Sequence, residues 1–229
     1  MIGIIGAMQE EIDEILFLCQ DYKLIKHRNH NIYKCILANK EIILVLGGIG
    51  KVNASISTSI LINDFNIDGI ITIGVGGSLK ENISINSVVI PDVIAQHDFD
   101  IYQDGKYKYK GFDNDNYLTY PSKEYIDILK NIFDSNSNFK IGPAISGDIF
   151  VVLNTQLYKI VNEFKDALIV DMEAYAIGKT CDAYNIKYVV VKAVSDLVLN
   201  SNNDIDYDKY LKEASKNSAI ICQKFIEVL

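Results

Sequence analysis

The sequence predicts a layered α/β fold with a substantially parallel sheet. Short runs rich in Ile and Val are apolar on both faces, as in a sheet covered from two sides. Amphipathic helical segments alternate with them. No linker interrupts the 229 residues, so one domain spanning 1–229 is expected.

The elements follow in order. Residues 2–5 read as a strand leading into a helix with Ile12, Ile15, Leu16 and Cys19 on one stripe. Residues 33–38, 41–46, 69–73 and 87–94 read as further strands. Tyr125, Ile128, Leu129 and Ile132 form the next helical stripe, ahead of a strand at 141–146. Leu157, Ile160, Val161 and Phe164 form another, ahead of a strand at 167–170. Ala174, Ile177, Cys181 and Tyr184 share a face before the strand at 188–194. Residues 207–229 close the chain as a helix with Tyr210, Leu211, Ala214, Ile221, Cys222 and Phe225 on one side. The polar stretches 134–138 and 200–206 read as loops, as does 99–111 with Tyr102, Tyr107 and Tyr109. The last two are either plain connections or covers over a site.

Composition narrows the partners. A net charge of -8 with a single arginine, Arg28, argues against nucleic acid, whose phosphates are met by clustered Lys and Arg. Hydrophobic residues make up 49% of the chain, enough for a sizeable core. No apolar run reaches the length of a membrane span. The N-terminal MIGIIGAMQEEI lacks the basic start of a signal peptide. Cys19, Cys35, Cys181 and Cys222 are far apart in sequence, so neither a disulfide framework nor a zinc site is suggested. Reduced cytoplasmic thiols are expected.

Two glycine-rich stretches, GGIGKV (47–52) and GVGGS (74–78), each follow a predicted strand. Neither is a nucleotide fingerprint. Val45 and Val52 stand where a phosphate loop needs glycine and a hydroxyl. Leu79 stands where a dinucleotide loop needs its third glycine. Both read as loops that let backbone approach a ligand at strand ends, or as tight turns.

Three places put acids just past an apolar run: GAMQEE (6–11), VDMEA (170–174) and VSD (194–196). Each alone is explained by helix capping. With parallel strands, however, all three emerge at one sheet edge, where gathered carboxylates must meet a cation or share protons. No histidine accompanies them: His27, His30 and His97 lie elsewhere, and HDFD (97–100) reads as a polar loop, so no metal is expected. A transient cation fits better. Glycosidic cleavage builds positive charge on a sugar, which ionised carboxylates stabilise while a protonated one serves the leaving group. Glu11 and Glu173, near helix starts, suit the ionised role. Asp196, after an apolar strand, suits the protonated one.

These residues carry a family likeness. IGIIGAMQEEI, GGIGKVNA, SGDIFV, VDMEAYAIG and VVVKAVSD, in this order, resemble the 5′-methylthioadenosine/S-adenosylhomocysteine nucleosidases of the nucleoside phosphorylase-like superfamily. The resemblance implies an α/β/α domain around a mixed, partly barrel-like sheet, a homodimer, and no cofactor. It implies hydrolysis of the ribose–adenine bond of methylthioadenosine, S-adenosylhomocysteine and 5′-deoxyadenosine, in nucleoside catabolism and methionine salvage. By the same resemblance Glu11, rather than Glu10, activates water. Asp196 protonates adenine N7, supported by Ser195, and Glu173 with Met172 holds the ribose hydroxyls. Phe150 stacks on adenine, the Val151 backbone reads its edge, and Met8 and Ile49 line the sugar and alkylthio end. Val75 and Gly76 lie at the substrate. Two positions depart from the family pattern: Val75 replaces a hydroxyl, and Lys192 replaces an arginine, keeping the charge but losing the planar fork. Futalosine hydrolysis, phosphorolysis and nucleoside binding without chemistry are the alternatives within the same superfamily.

Overall fold

Alternation along the central strands sends the core to two faces. In the computed structural model, which describes residues 1–99, 111–133, 138–152, 155–200 and 203–229, β1 (Ile2–Gly6), β5 (Gly69–Ser78) and β10 (Lys187–Leu197) run parallel with β5 in the middle. On one side, Ile4, Ile71, Val189 and Val191 join a cluster with Ile12 and Ile15 of α1 (Gln9–Leu18), Leu129 of α3 (Lys123–Ile132) and Phe225 of α6 (Asn203–Val228). On the other, Ile5, Ile70 and Val190 meet Ala54 and Leu61 of α2 (Lys51–Asp64) and Ile177 and Cys181 of α5 (Ala174–Tyr184). Such strands are apolar throughout because both faces are covered.

Beyond β1 the sheet continues through β4 (Lys40–Leu46), β3 (His30–Leu37) and β2 (Asp21–His27). In the other direction it closes on itself. β10 pairs antiparallel with β6 (Val88–Gln96), β6 parallel with β8 (Phe139–Ser146), and β8 parallel with β9 (Ile169–Asp171). β9 then returns antiparallel to β5. The result is a mixed ring of five strands, flanked on its β8–β9 side by α4 (Thr155–Glu163) through Leu157 and Ile160. The two-residue strand β7 (Leu118–Thr119) adds to β6.

A fork in this sheet positions the site. β10 accompanies β5 along its whole length on one edge. On the opposite edge, β1 pairs only from Gly69 to Thr72, and β9 only at Gly77 and Ser78. Between them β5 has no strand partner on that edge, and the gap opens toward the start of α1. Opposite, the register of β10 shifts between Val194 and Asp196.

Several sequence expectations change. GVGGS is not a loop after a strand: all five residues belong to β5. Ser195 and Asp196 likewise lie within β10, not at a helix start. Strand β2 went unpredicted because it is an exposed edge strand without a buried alternation. Helix α2 went unpredicted because Ser57 and Thr58 occupy its buried face, their hydroxyls donating back to the Ala54 carbonyl at 3.0 and 2.7 Å. Helix α6 begins at Asn203, so Tyr207 sits in its first turns instead of following a polar connection. Residues 100–110, with the three tyrosines named above, 134–137, 153–154 and 201–202 lie outside the described residues.

Candidate active site

A cavity of about 330 Å³ opens at the fork. Its lining includes Met8 and Glu11 from the β1–α1 junction, Ile49, Val75 and Gly76 of β5, and Phe150 and Val151. Met172 and Glu173 between β9 and α5, and Ser195 and Asp196 of β10, complete the expected set. Lys192 is the exception. It is almost fully buried and stands behind the carboxylates rather than on the cavity wall, because its position in β10 faces Gly74 of β5, beneath the opening.

Glu11 is fixed by backbone. Oε2 accepts the N–H groups of Ala7 (2.6 Å) and Met8 (3.1 Å), the second being the reach of an acid at the third helical position back to its helix start. Oε1 accepts the Val75 N–H at 3.2 Å, a donor that the fork leaves free of any strand partner. Glu10 is exposed, so burial separates the two acids that residue type did not. Burial raises the Glu11 carboxyl to about 7, with Lys192 pulling the other way and Glu173 adding to the rise. That corrects the expectation of a plainly ionised group: Glu11 is poised between its two forms near neutral pH. Glu173 is raised as well, first by burial, against the opposing charge of Lys192.

The glycines of β5 have a different purpose from the one expected. A Cβ on Gly74 would come within 2.3 Å of Glu11 Oε1, at a backbone φ of +145°. A Cβ on Gly77 would come within 2.9 Å of Asp196 Oδ2 and 2.4 Å of Val198 Cγ2. One glycine vacates the space of each acid. They are strand residues lacking side chains where carboxylates must fit.

Asp171 and Glu173 both start a helix and hold a charge. Asp171 accepts the Ala174 N–H at 3.1 Å and the Ser146 hydroxyl at 2.5 Å, and its Oδ2 lies 2.9 Å from Lys192 Nζ. Glu173 Oε2 lies 3.5 Å from the same ammonium, while Oε1 accepts the Gly50 N–H at 3.0 Å. Burial by itself would lower Lys192, but Asp171, Glu173 and Glu11 together hold it well above the ordinary lysine value. The acids thus have a resident cation beneath them, in addition to any charge that forms transiently on a sugar.

Asp196 is 2% exposed, and the Ser195 hydroxyl donates to its Oδ1 at 2.8 Å. Phe150, 43% exposed, meets Tyr207 edge-on with ring centroids 5.2 Å apart. The Tyr207 hydroxyl donates to Met8 Sδ at 3.1 Å. Tyr207 lines the cavity but was not among the expected site residues, since its approach depends on where α6 crosses the sheet. The one arginine is remote in function: Arg28 is exposed on the β2–β3 turn and donates to Asp64 at 2.6 Å. Among the described residues no cluster of His, Cys, Asp and Glu is arranged to hold a metal ion.

Comparison with known proteins follows the same lines. Residues 1–227 match the phosphorylase superfamily model. A 5′-methylthioadenosine/S-adenosylhomocysteine nucleosidase of Staphylococcus haemolyticus is 36% identical over 230 residues, covering all of both chains. The nucleosidase of the same name from S. pneumoniae, solved with a transition-state inhibitor, superposes with a TM-score of 0.91 at 29% identity, over 99% of this chain and 98% of that one. An aspartate-to-asparagine mutant of the Helicobacter pylori nucleosidase, solved with 5′-methylthioadenosine in its active site, gives a TM-score of 0.91 at 28% identity, over 100% and 98%.

Proposed function

The chain belongs to the phosphorylase superfamily, and from that premise we infer that it is a nucleosidase hydrolysing 5′-methylthioadenosine and S-adenosylhomocysteine, with 5′-deoxyadenosine as a further substrate. The observation that carries this reading is the convergence of Glu11, Glu173 and Asp196, from three distant parts of the chain, on one largely apolar cavity beside Phe150.

Position supports the following roles. Adenine lies against Phe150, its edge read by the Val151 backbone, with Ile149 and Val198 completing an apolar slot. Asp196 donates a proton to N7 as the C1′–N9 bond breaks, so the electron pair departs on a neutral purine. Ser195 holds the other oxygen of that carboxyl. Glu173, anchored by Gly50 and Lys192, binds the ribose hydroxyls beside Met172. Glu11 accepts a proton from water as its oxygen bonds to C1′, and its value near 7 suits a base at neutral pH. The negative charge around the sugar stabilises the oxocarbenium-like transition state. Lys192 limits the repulsion among the acids. Met8, Ile49 and Tyr207 enclose the sulfur-bearing 5′ end.

Phosphate is a poor alternative to water. Val75 presents an apolar side chain, Glu11 a negative one, and Arg28 is engaged at the far turn. Adenine release from methylthioadenosine in phosphate-free buffer tests the reading; turnover requiring phosphate would make the protein a phosphorylase, and binding without release a passive carrier.

The remaining expectations belong to the same proposal. A single domain over 1–229 is supported by the strands described, all of which join one sheet. Val52 (70% exposed) and Ile56 (46%) flank a shallow groove with Tyr175 and Ala183, a face suited to a second copy and hence to a homodimer. Cys19, Cys35, Cys181 and Cys222 are all free thiols, which suits the cytoplasm. No helix among the described residues is long and apolar enough to cross a membrane. Adenine and a thio-substituted ribose as products suit nucleoside catabolism and methionine salvage.

A further inference from the structure

The two walls of the cavity come from segments that never pair as strands. One is residues 47–50, carrying Ile49 and the Gly50 N–H that holds Glu173. The other is residues 147–151, carrying Phe150. Just outside the cavity a charged ring ties them together. The Lys51 ammonium meets Asp98 Oδ1 at 2.5 Å and Asp148 Oδ2 at 3.7 Å. The Lys51 N–H donates to Asp148 Oδ1 at 2.8 Å, and the Asp148 N–H donates to Asp98 Oδ2 at 2.8 Å. Gln96 adds a bond to Asp98 at 2.9 Å. Lys51 and Asp98 side chains are only 17% and 16% exposed, so that pair is not an ordinary surface one, while Asp148 is 47% exposed at the rim.

Both carboxylate contacts at the start of α2 come from elsewhere in the chain. Gly50, the residue before the helix, has no capping side chain. Its own N–H is taken by Glu173, and that of Lys51 by Asp148. A helix start that needs acceptors is thus satisfied by one acid facing the ribose side and one from the Phe150 wall. Space is tight here: a Cβ on Gly50 would come within 3.0 Å of Asp148 Oδ1.

We propose that Lys51, Asp98 and Asp148 are positioning residues that set the distance between the adenine wall and the ribose wall, so that one nucleoside spans both. None of the three lines the cavity, and none contacts Glu11 or Asp196 in the interactions described. The ring therefore governs substrate binding more than the chemical step. The proposal rests on the nucleosidase reading above.

The test compares wild type, Lys51→Met and Lys51→Arg as full chains. Methylthioadenosine hydrolysis gives KM and kcat, and calorimetry gives the Kd of adenine alone. For Lys51→Met the expected result is a KM raised about tenfold with kcat within about threefold. Adenine, which touches one wall, loses about twofold or less. Lys51→Arg, which can bridge both carboxylates, restores KM to within about threefold of wild type. Asp98→Asn, which leaves Lys51 in place, gives the same pattern at smaller amplitude and serves as the readout if Lys51→Met fails to fold or changes its oligomeric state. An unchanged KM in the folded variants overturns the proposal, as does a fall in kcat alone, or equal weakening of adenine and nucleoside. Absence of hydrolysis by the wild type would instead overturn the nucleosidase reading itself.

Discussion

The two ends of the same strands obey opposite rules. At the entry end of β1, β5 and β10, Ile4, Ile71, Val189 and Val190 are completely buried, and neighbouring strands pair continuously. At the exit end, Glu11, Glu173, Lys192 and Asp196 are nearly as deeply buried, yet β1 and β9 have parted and β10 has slipped its register. Burial alone does not distinguish a core from an active site. What differs is the partner: side-chain contacts suffice at one end, whereas the other supplies backbone donors and an ammonium to groups that would otherwise lose their hydration. Interrupted pairing frees the Val75 donor, and the helix starts at Met8 and Gly50 supply the rest.

Breaking the exit end should affect rate first. Asp196→Asn is expected to lower kcat by about 10³ while the melting temperature stays within a few degrees, because the amide fills the same space but is no acid. A mutant retaining most of its turnover would mean that another group protonates the purine. Glu11→Gln is expected to lower kcat by about 10² and retain substrate affinity. In the wild type only ionised Glu11 can take a proton, so kcat/KM should fall about tenfold for each pH unit below about 7. A flat profile between pH 5 and 7 would deny Glu11 that role.

The same carboxyl affects stability with a definite sign. Its folded value lies above the ordinary 4.5, so its contribution is fully present below about 4.5 and is lost as pH rises through about 7. Unfolding measured across that window should show the decline in wild type and a shallower one in Glu11→Gln.

Gly74→Ala tests the fork itself. The added methyl displaces Glu11 and strains the backbone, so a loss of about 1–3 kcal/mol in stability and at least about tenfold in kcat are expected together. At the entry end, Ile71→Val should be the mildest change, costing about 1 kcal/mol in denaturant unfolding with kcat unaltered. Should Ile71→Val reduce turnover as Gly74→Ala does, the two ends would not be separable.

Legibility in the sequence divides along the same line. The entry end was readable because Ile and Val runs and the stripe Ile12–Ile15 state their burial directly. The acids were readable as a gathering, since parallel strands bring their ends together. Four things were not. GVGGS has the composition of a loop, and only the coordinates of Glu11 and Asp196 explain glycine inside a strand. Lys192 looks like a site cation in sequence, but its depth beneath the carboxylates follows from its register against Gly74. Tyr207 reaches the cavity through the path of α6, which no local pattern encodes. Helix α2 was hidden because its buried hydroxyls bond to its own backbone, so polarity and burial coincide.

Capping α2 from afar also has a consequence for synthesis. The N–H groups of Gly50, just before it, and of Lys51, its first residue, wait for partners 123 and 97 positions downstream, Glu173 and Asp148. A ribosome-bound chain that has not yet emitted residue 173 carries that helix with a frayed beginning and half a substrate wall. Maturation of the pocket is then a late, all-at-once event, and shortened translation products should have neither nucleoside affinity nor protection of the α2 amides from solvent exchange.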